Sequence, residues 1–241
     1  ENHYVLDAFD CEVLFFQKYF AGVIAELQSR LPKIKYWICV DGDAPEVTGA
    51  VSLDAWTNDQ PSTSPNIVVD MDDVVSLSST GGTTGLPKGV MNTHRSMQTF
   101  CAHFLIGCPY GSEDAVVNLA AAPMTHTAGL LSLPCTSRGG TVVVVTKPDP
   151  ALLLAAIPKY KVTEMFLPPT VIYRLLDIPG LKEKVDFSSL KYFMYGAAPM
   201  SVDKLKQAID VIGPAMTGGY GQTECPAATA YLPTDAHPKN G

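Results

Sequence analysis

Apolar positions along this chain follow two rhythms, and the change between them organises the sequence. From Leu14 to Arg30 the residues Leu14, Phe15, Tyr19, Phe20, Val23, Ile24 and Leu27 recur at helical spacing, which predicts a helix ended by Pro32. Tyr36–Val40 is a short β-rich run closed by the turn-forming Asp41-Gly42-Asp43. Asn58 to Asn66 is rich in Pro, Ser, Thr and Asn and predicts a surface loop or linker. Beyond it the chain alternates. Strand-like runs fall at Val74–Ser78, Ala115–Ala121, Thr141–Val145, Met165–Leu167, Tyr192–Tyr195 and Ala215–Tyr220. Between them lie helical patterns around Ser96–Ile106, Thr127–Ser137, Pro150–Tyr160, Thr170–Asp177 and Val202–Val211, with Asp149 and Ser201 placed as N-caps. Thr141–Val145 has no polar alternation, which predicts a strand covered on both faces. Alternation of this length implies an α/β fold, a largely parallel sheet flanked by helices.

Ligands of such sheets gather at loops leaving the C-terminal ends of strands. Four polar, Gly-rich segments fall at such positions: Thr80–Gly89, Pro123–Gly129, Gly196–Pro199 and Gly221–Glu224. The pattern predicts that all four share one rim.

Composition narrows the classes. The 241 residues suit one large domain or two small ones, and 46% hydrophobic against 17% charged residues excludes a disordered or highly charged chain. A net charge of −7 argues against nucleic acid or an anionic membrane as a bulk partner, yet leaves room for a local phosphate pocket. The longest apolar stretches, such as Ala151–Pro158, fall short of the ~18–20 residues that span a bilayer, and Glu1–Asp10 has no signal-peptide pattern. The six cysteines form no CxxC and no metal-ligand spacing; most sit among apolar neighbours and read as buried thiols of a reducing, cytoplasmic compartment.

The candidate chemistry lies in the loops. Thr80-Gly81-Gly82-Thr83-Thr84-Gly85-Leu86-Pro87-Lys88-Gly89 combines glycines that let successive N–H groups face an anion, three hydroxyl donors and the point charge of Lys88. It is not a Walker A loop, because Pro87 rather than Gly precedes Lys88. The whole string resembles the phosphate-binding signature of the adenylate-forming superfamily, which includes acyl- and aryl-CoA synthetases, amino-acid adenylation domains and luciferases, and it meets that pattern at every position. Tyr220-Gly221-Gln222-Thr223-Glu224 resembles the family's tyrosine-to-glutamate motif. Gly196-Ala197-Ala198-Pro199 is similar to its adenine-site turn, and Pro123–Gly129 to the segment beside the acyl carboxylate.

The resemblance implies roles. Thr80, Gly81, Gly82, Thr83, Thr84, Gly85 and Lys88 would hold the β- and γ-phosphates. Tyr220 would stack on adenine, with Gly196, Ala197, Ala198, Pro199 and Gly221 lining that site. Thr223 would contact the α-phosphate, Glu224 would help hold Mg²⁺, and His126 would gate the thiol tunnel. ATP, Mg²⁺ and coenzyme A are the implied cofactor and co-substrates. The implied reaction joins a carboxylic acid to AMP and then to coenzyme A. Pro123–Gly129 carries no carboxylate to pair with an α-ammonium, which argues against an amino acid; a fatty or other aliphatic acid is the first reading, and aryl-acid and amino-acid activation are the alternatives. The resemblance runs from about Tyr36 to Glu224. It implies a middle portion of the family's large N-terminal domain, without the small C-terminal lid domain and not expected to turn over by itself. Two readings from other classes stay open: an ATP-using enzyme on another α/β fold, and a non-catalytic nucleotide-binding module.

Overall fold

A computed structural model describes residues 2–80 and 85–237. The chain divides into two compact units, Glu1–Thr93 and His94–Gly241.

The first unit opens with α1 (Asn2–Ala8), β1 (Val13–Phe16), α2 (Ala21–Leu27), β2 (Tyr36–Cys39), β3 (Ala50–Ser52) and α3 (Leu53–Thr57). β1, β2 and β3 form a parallel three-stranded sheet, with Val13 opposite Tyr36 and Trp37 opposite Ala50. The predicted helix from Leu14 is therefore only half right. Val13-Leu14-Phe15-Phe16 is aromatic and β-branched, and it gains a strand partner in Tyr36–Cys39; helix begins after Gln17, which is extended. Phe16, Ala21, Ile24, Leu31, Ile34, Trp37 and Cys39 form this unit's core. The Asn58–Asn66 stretch is an exposed loop, as predicted. After it, β4 (Val74–Ser79) and β5 (Gly89–Thr93) pair as an antiparallel hairpin.

The second unit is a three-layer α/β body. It contains α4 (His94–Gly107), β6 (Val117–Ala120), α5 (Thr127–Ser137), β7 (Thr141–Val144), α6 (Pro150–Tyr160), β8 (Glu164–Leu167), α7 (Pro169–Leu176), α8 (Leu181–Lys184), β9 (Tyr192–Gly196), α9 (Val202–Ile212), β10 (Met216–Gln222) and β11 (Cys225–Leu232). The sheet order is β11-β10-β9-β8-β6-β7, parallel throughout except for the β10–β11 pair. Asp149 caps α6 by accepting from the amides of Ala151 and Leu152, and Ser201 caps α9 by accepting from that of Lys204.

Register is set by one row of side chains. Leu119, Met165, Phe193 and Met216 are neighbours on successive strands, all at most 1% exposed. They face α6, α7, α8 and α9 in the largest core cluster. A slip of one residue would turn any of them to the opposite face. That face carries Phe166 and Met194, which pack with Phe100, Phe104 and Leu131 of α4 and α5. β7 corrects an expectation: it is an edge strand among the described residues, and Val144 is 58% exposed rather than covered.

The N-terminal edge of this sheet holds a buried polar cluster. Glu164, 6% exposed, accepts hydrogen bonds from Asn118 Nδ2 and the Tyr110 hydroxyl, both at 3.1 Å. Arg138 lies 3.7 Å from the same carboxylate and donates to the carbonyls of Phe104 (3.2 Å) and Cys108 (2.8 Å) at the end of α4. Its guanidinium also stacks 4.9 Å from the Tyr110 ring centroid. Burial pushes the Glu164 carboxyl up, while Asn118, Tyr110 and the Arg138 charge pull it down. Burial also pushes the Cys108 thiol up to about 11. Arg138→Ala should destabilise the unit by about 3–5 kcal/mol at neutral pH, because a buried carboxylate loses its counter-charge. Glu164 binds its proton more tightly folded than unfolded, so its ionisation opposes folding at neutral pH and the opposition fades as pH falls. The variant's deficit in denaturant midpoint should therefore shrink between about pH 7.5 and about pH 5. A deficit constant over that range would remove the carboxylate from the account.

Candidate functional site

Three of the four predicted loops leave one edge of the second unit's sheet. β6, β9 and β10 are parallel, so the segments after them emerge at the same C-terminal edge. The fourth, Thr80–Gly89, does not follow a strand of that sheet. It closes the β4–β5 hairpin of the first unit, because β4 finds its partner in the run just after the loop rather than in the parallel sheet.

At the neck of that hairpin the Thr80 amide donates to the Lys88 carbonyl (2.9 Å), and the Lys88 amide donates back to the Thr80 hydroxyl (3.3 Å). Gly85 and the Lys88 side chain are exposed. Gly81, Gly82, Thr83 and Thr84 lie outside the described residues.

The turn Gly196–Pro199 and the segment Tyr220–Glu224 are brought together directly. Gly196 ends β9 and pairs in register with Gly219 of β10. A Cβ on Gly196 would sit 2.4 Å from the Gly219 carbonyl oxygen, so the approach tolerates no side chain there. Ala197 follows in the left-handed region at φ +65°, a conformation that costs an L-residue roughly 1–2 kcal/mol. Ala197, Ala198 and Pro199 are exposed at this edge. On β10 the Tyr220 ring is 60% exposed and so free of the core. The ladder shifts between Tyr220 and Gln222, and Gln222 then pairs with Cys225. Thr223 and Glu224 are thereby the two connecting residues of a tight hairpin, Thr223 half-buried and Glu224 exposed.

His126 stands apart from that pair. It lies in the loop after β6, two strands from β9, roughly 10 Å at ordinary strand spacing. It is the exposed N-cap residue of α5, and its amide donates to the Pro123 carbonyl at 3.0 Å. The loop folds back tightly: a Cβ on Gly129 would fall 1.8 Å from the Met124 carbonyl oxygen. Met194, two residues before the Gly196 turn, is core, 5% exposed between the sheet and α4.

Chemically, the β9–β10 edge presents an accessible aromatic face, an exposed backbone turn, a hydroxyl and one carboxylate. No group of three or more His, Cys, Asp or Glu side chains that could hold a metal occurs among the described residues. A single exposed carboxylate suits Mg²⁺, which is commonly shared between one or two carboxylates and substrate phosphates.

The AMP-binding enzyme family model matches residues 1–241. The chain belongs to that family. Among curated relatives, a medium/long-chain-fatty-acid–CoA ligase of Mycobacterium tuberculosis is 34% identical over 175 residues, covering 72% of this chain and 30% of the relative. A feruloyl-CoA synthase of an Amycolatopsis species is 36% identical over 185 residues, covering 76% of this chain and 36% of the relative. In three dimensions the chain is similar to the amide bond synthetase McbA of Marinactinospora thermotolerans, with TM-score 0.81 and 25% identity over 98% of this chain and 45% of that one. This AMP-binding chain thus spans 30% and 36% of the length of those two curated relatives.

His237 lies in none of the sequence motifs. It is buried, and it meets the hydroxyl of Tyr195, the residue directly before the Gly196 turn, at 3.1 Å. The partners are 42 residues apart, so no local pattern could signal the contact. Burial pushes the Tyr195 phenol up, which keeps its O–H as a donor.

Because the Tyr220 ring is outside the core, Tyr220→Ala should separate binding from stability. We expect adenine nucleotide affinity to fall by about 1–3 kcal/mol, as for other base–aromatic contacts. The unfolding free energy should move by no more than about 0.5 kcal/mol. Unchanged affinity in a calorimetric titration would take Tyr220 out of the nucleotide site.

Proposed function

We propose that this chain forms the nucleotide- and acid-binding part of an AMP-forming acid–CoA ligase. In the first half-reaction a substrate carboxylate oxygen attacks the α-phosphorus of ATP; the new acyl–phosphate bond forms as the bond to the β-phosphate bridge breaks and pyrophosphate leaves. In the second, the sulfur of coenzyme A attacks the acyl carbon, the thioester forms, AMP departs and the thiol proton is released. The observation that supports this reading best is the placement of Gly196–Pro199 beside Tyr220–Glu224 on neighbouring strands, in a chain of the AMP-binding family.

The roles follow the chemistry of the groups. Thr80, Gly81, Gly82, Thr83, Thr84, Gly85 and Lys88 receive the β- and γ-phosphates, with Lys88 supplying charge. Gly196, Ala197, Ala198, Pro199 and Gly221 line the adenine site, and Tyr220 stacks on the base. Thr223 donates to the α-phosphate. Glu224 holds Mg²⁺, which supplies charge neutralisation at the phosphates when bound. His126 stands beside the acyl carboxylate. None of these residues forms a covalent intermediate; the work is positioning and charge stabilisation.

For the acid, the first reading is a fatty or other aliphatic chain, supported by the fatty-acid–CoA ligase relative; the Pro123–Gly129 loop, without a carboxylate, argues against an amino acid. The feruloyl-CoA synthase relative favours an aryl acid as the second reading. All six cysteines are free thiols, which supports a cytoplasmic setting. Among the described residues no helix is long and apolar enough to cross a membrane.

The test is acid-dependent exchange of pyrophosphate into ATP by the full-length gene product, run against a panel of fatty, aryl and amino acids. AMP and pyrophosphate should be the products, and ADP in their place would reject the reading. Glu224→Gln should lower exchange on the order of 10²–10³-fold, the loss seen when one well-placed electrostatic group is removed, with the fold retained by circular dichroism. Near-normal exchange in that variant would release Glu224 from the metal role.

A further inference from the structure

The Gly196–Pro199 turn is strained, and both of its ends are held by tyrosine hydroxyls. After the turn, the Ser201 amide donates to the Tyr173 hydroxyl of α7 at 2.8 Å. Before it, the Tyr195 hydroxyl meets His237 Nε2 at 3.1 Å, the two rings edge-on with centroids 5.9 Å apart. Between them sits Ala197 at φ +65°. A non-glycine residue in that region persists only where the surroundings over-determine it.

The imidazole is itself fixed. His237 is 5% exposed, and its Nδ1 lies 2.9 Å from the Pro233 carbonyl. A carbonyl only accepts, so Nδ1 carries the proton, and in the neutral imidazole Nε2 then accepts from the Tyr195 O–H. One part-buried chain of hydrogen bonds therefore runs from the Pro233 carbonyl through His237 to Tyr195, tying the segment after β11 to the end of β9.

We propose that His237 is a positioning residue that acts through Tyr195 to hold the Gly196–Pro199 turn in its strained, ligand-ready form. This rests on the assignment of that turn to the nucleotide. His237 touches no substrate; it removes the freedom of β9's last residues to relax Ala197 toward ordinary backbone. A turn held in place before the ligand arrives loses less entropy on binding.

The test compares the 241-residue chain with Tyr195→Phe, His237→Ala, His237→Gln and the Tyr195→Phe/His237→Ala double variant. Amide hydrogen exchange is followed at Gly196 and Ser201, flanking the turn, with Phe193 and Met216 as reference positions in the sheet. Each of Tyr195→Phe and His237→Ala should accelerate exchange at Gly196 and Ser201 on the order of three- to tenfold, the effect of one hydrogen bond, and leave the reference amides unchanged. The double variant should be no faster than either single one. His237→Gln, whose side-chain oxygen can accept from Tyr195, should return exchange to within about twofold of the parent. AMP affinity, titrated in parallel, should fall by the same factor in the two disruptive variants and recover with Gln.

Equal acceleration at the reference amides, additive effects, or no change beside the turn would overturn the proposal. Should His237→Ala fail to fold, Tyr195→Phe, which removes only one hydroxyl, decides the question alone. If the parent chain binds no AMP, the nucleotide reading fails and the exchange data still judge the latch.

Discussion

The backbone contact between Gly196 and Gly219 is the constraint on which the candidate site depends. Two parallel strands approach so closely there that no side chain fits on one of them. That closeness places the turn after β9 against the strand that carries Tyr220 and leads into Thr223 and Glu224. It is in turn a consequence of register. Leu119, Met165, Phe193 and Met216 align across four strands and leave the sheet a single way to pair. The largest core cluster therefore does more than stabilise the unit: it decides which residues meet at the C-terminal edge.

The two edges of the sheet divide the labour. At the N-terminal edge polar groups are buried and satisfied by one another, with Glu164, Asn118, Tyr110 and Arg138 joining β6, β8 and the ends of α4 and α5. At the C-terminal edge the picture is open: Glu224 and Tyr220 are exposed and Ala197 is strained.

Much of this was legible in the sequence, for reasons that differ by element. Thr127–Ser137 and Pro150–Tyr160 were read with the limits that the helices have, because Asp149, Pro150 and the apolar spacing act locally. The parallel sheet followed from alternation alone. β1 was misread because a strand and a following helix together mimic a helical period. β11 gave no signal: Pro226 and a run of small residues conceal a strand whose existence depends on pairing with β10. The hairpin at Thr80–Gly89 was assigned to the parallel sheet because a strand's partner cannot be read from the strand itself. The site motifs were visible as strings, whereas the contacts that shape them, Gly196 against Gly219 and Tyr195 with His237, join residues far apart in sequence.

The most direct test of the account is an AMP titration of Gly196→Ala beside the parent chain, with folding followed by circular dichroism. A methyl group at that position forces β9 and β10 apart at their C-terminal ends, where overpacking typically costs 1–3 kcal/mol. The account predicts a retained α/β spectrum and an AMP affinity lowered by about tenfold or more. Parent-like affinity in a folded Gly196→Ala chain would contradict it, because the nucleotide shelf would then not depend on the contact between the two strands.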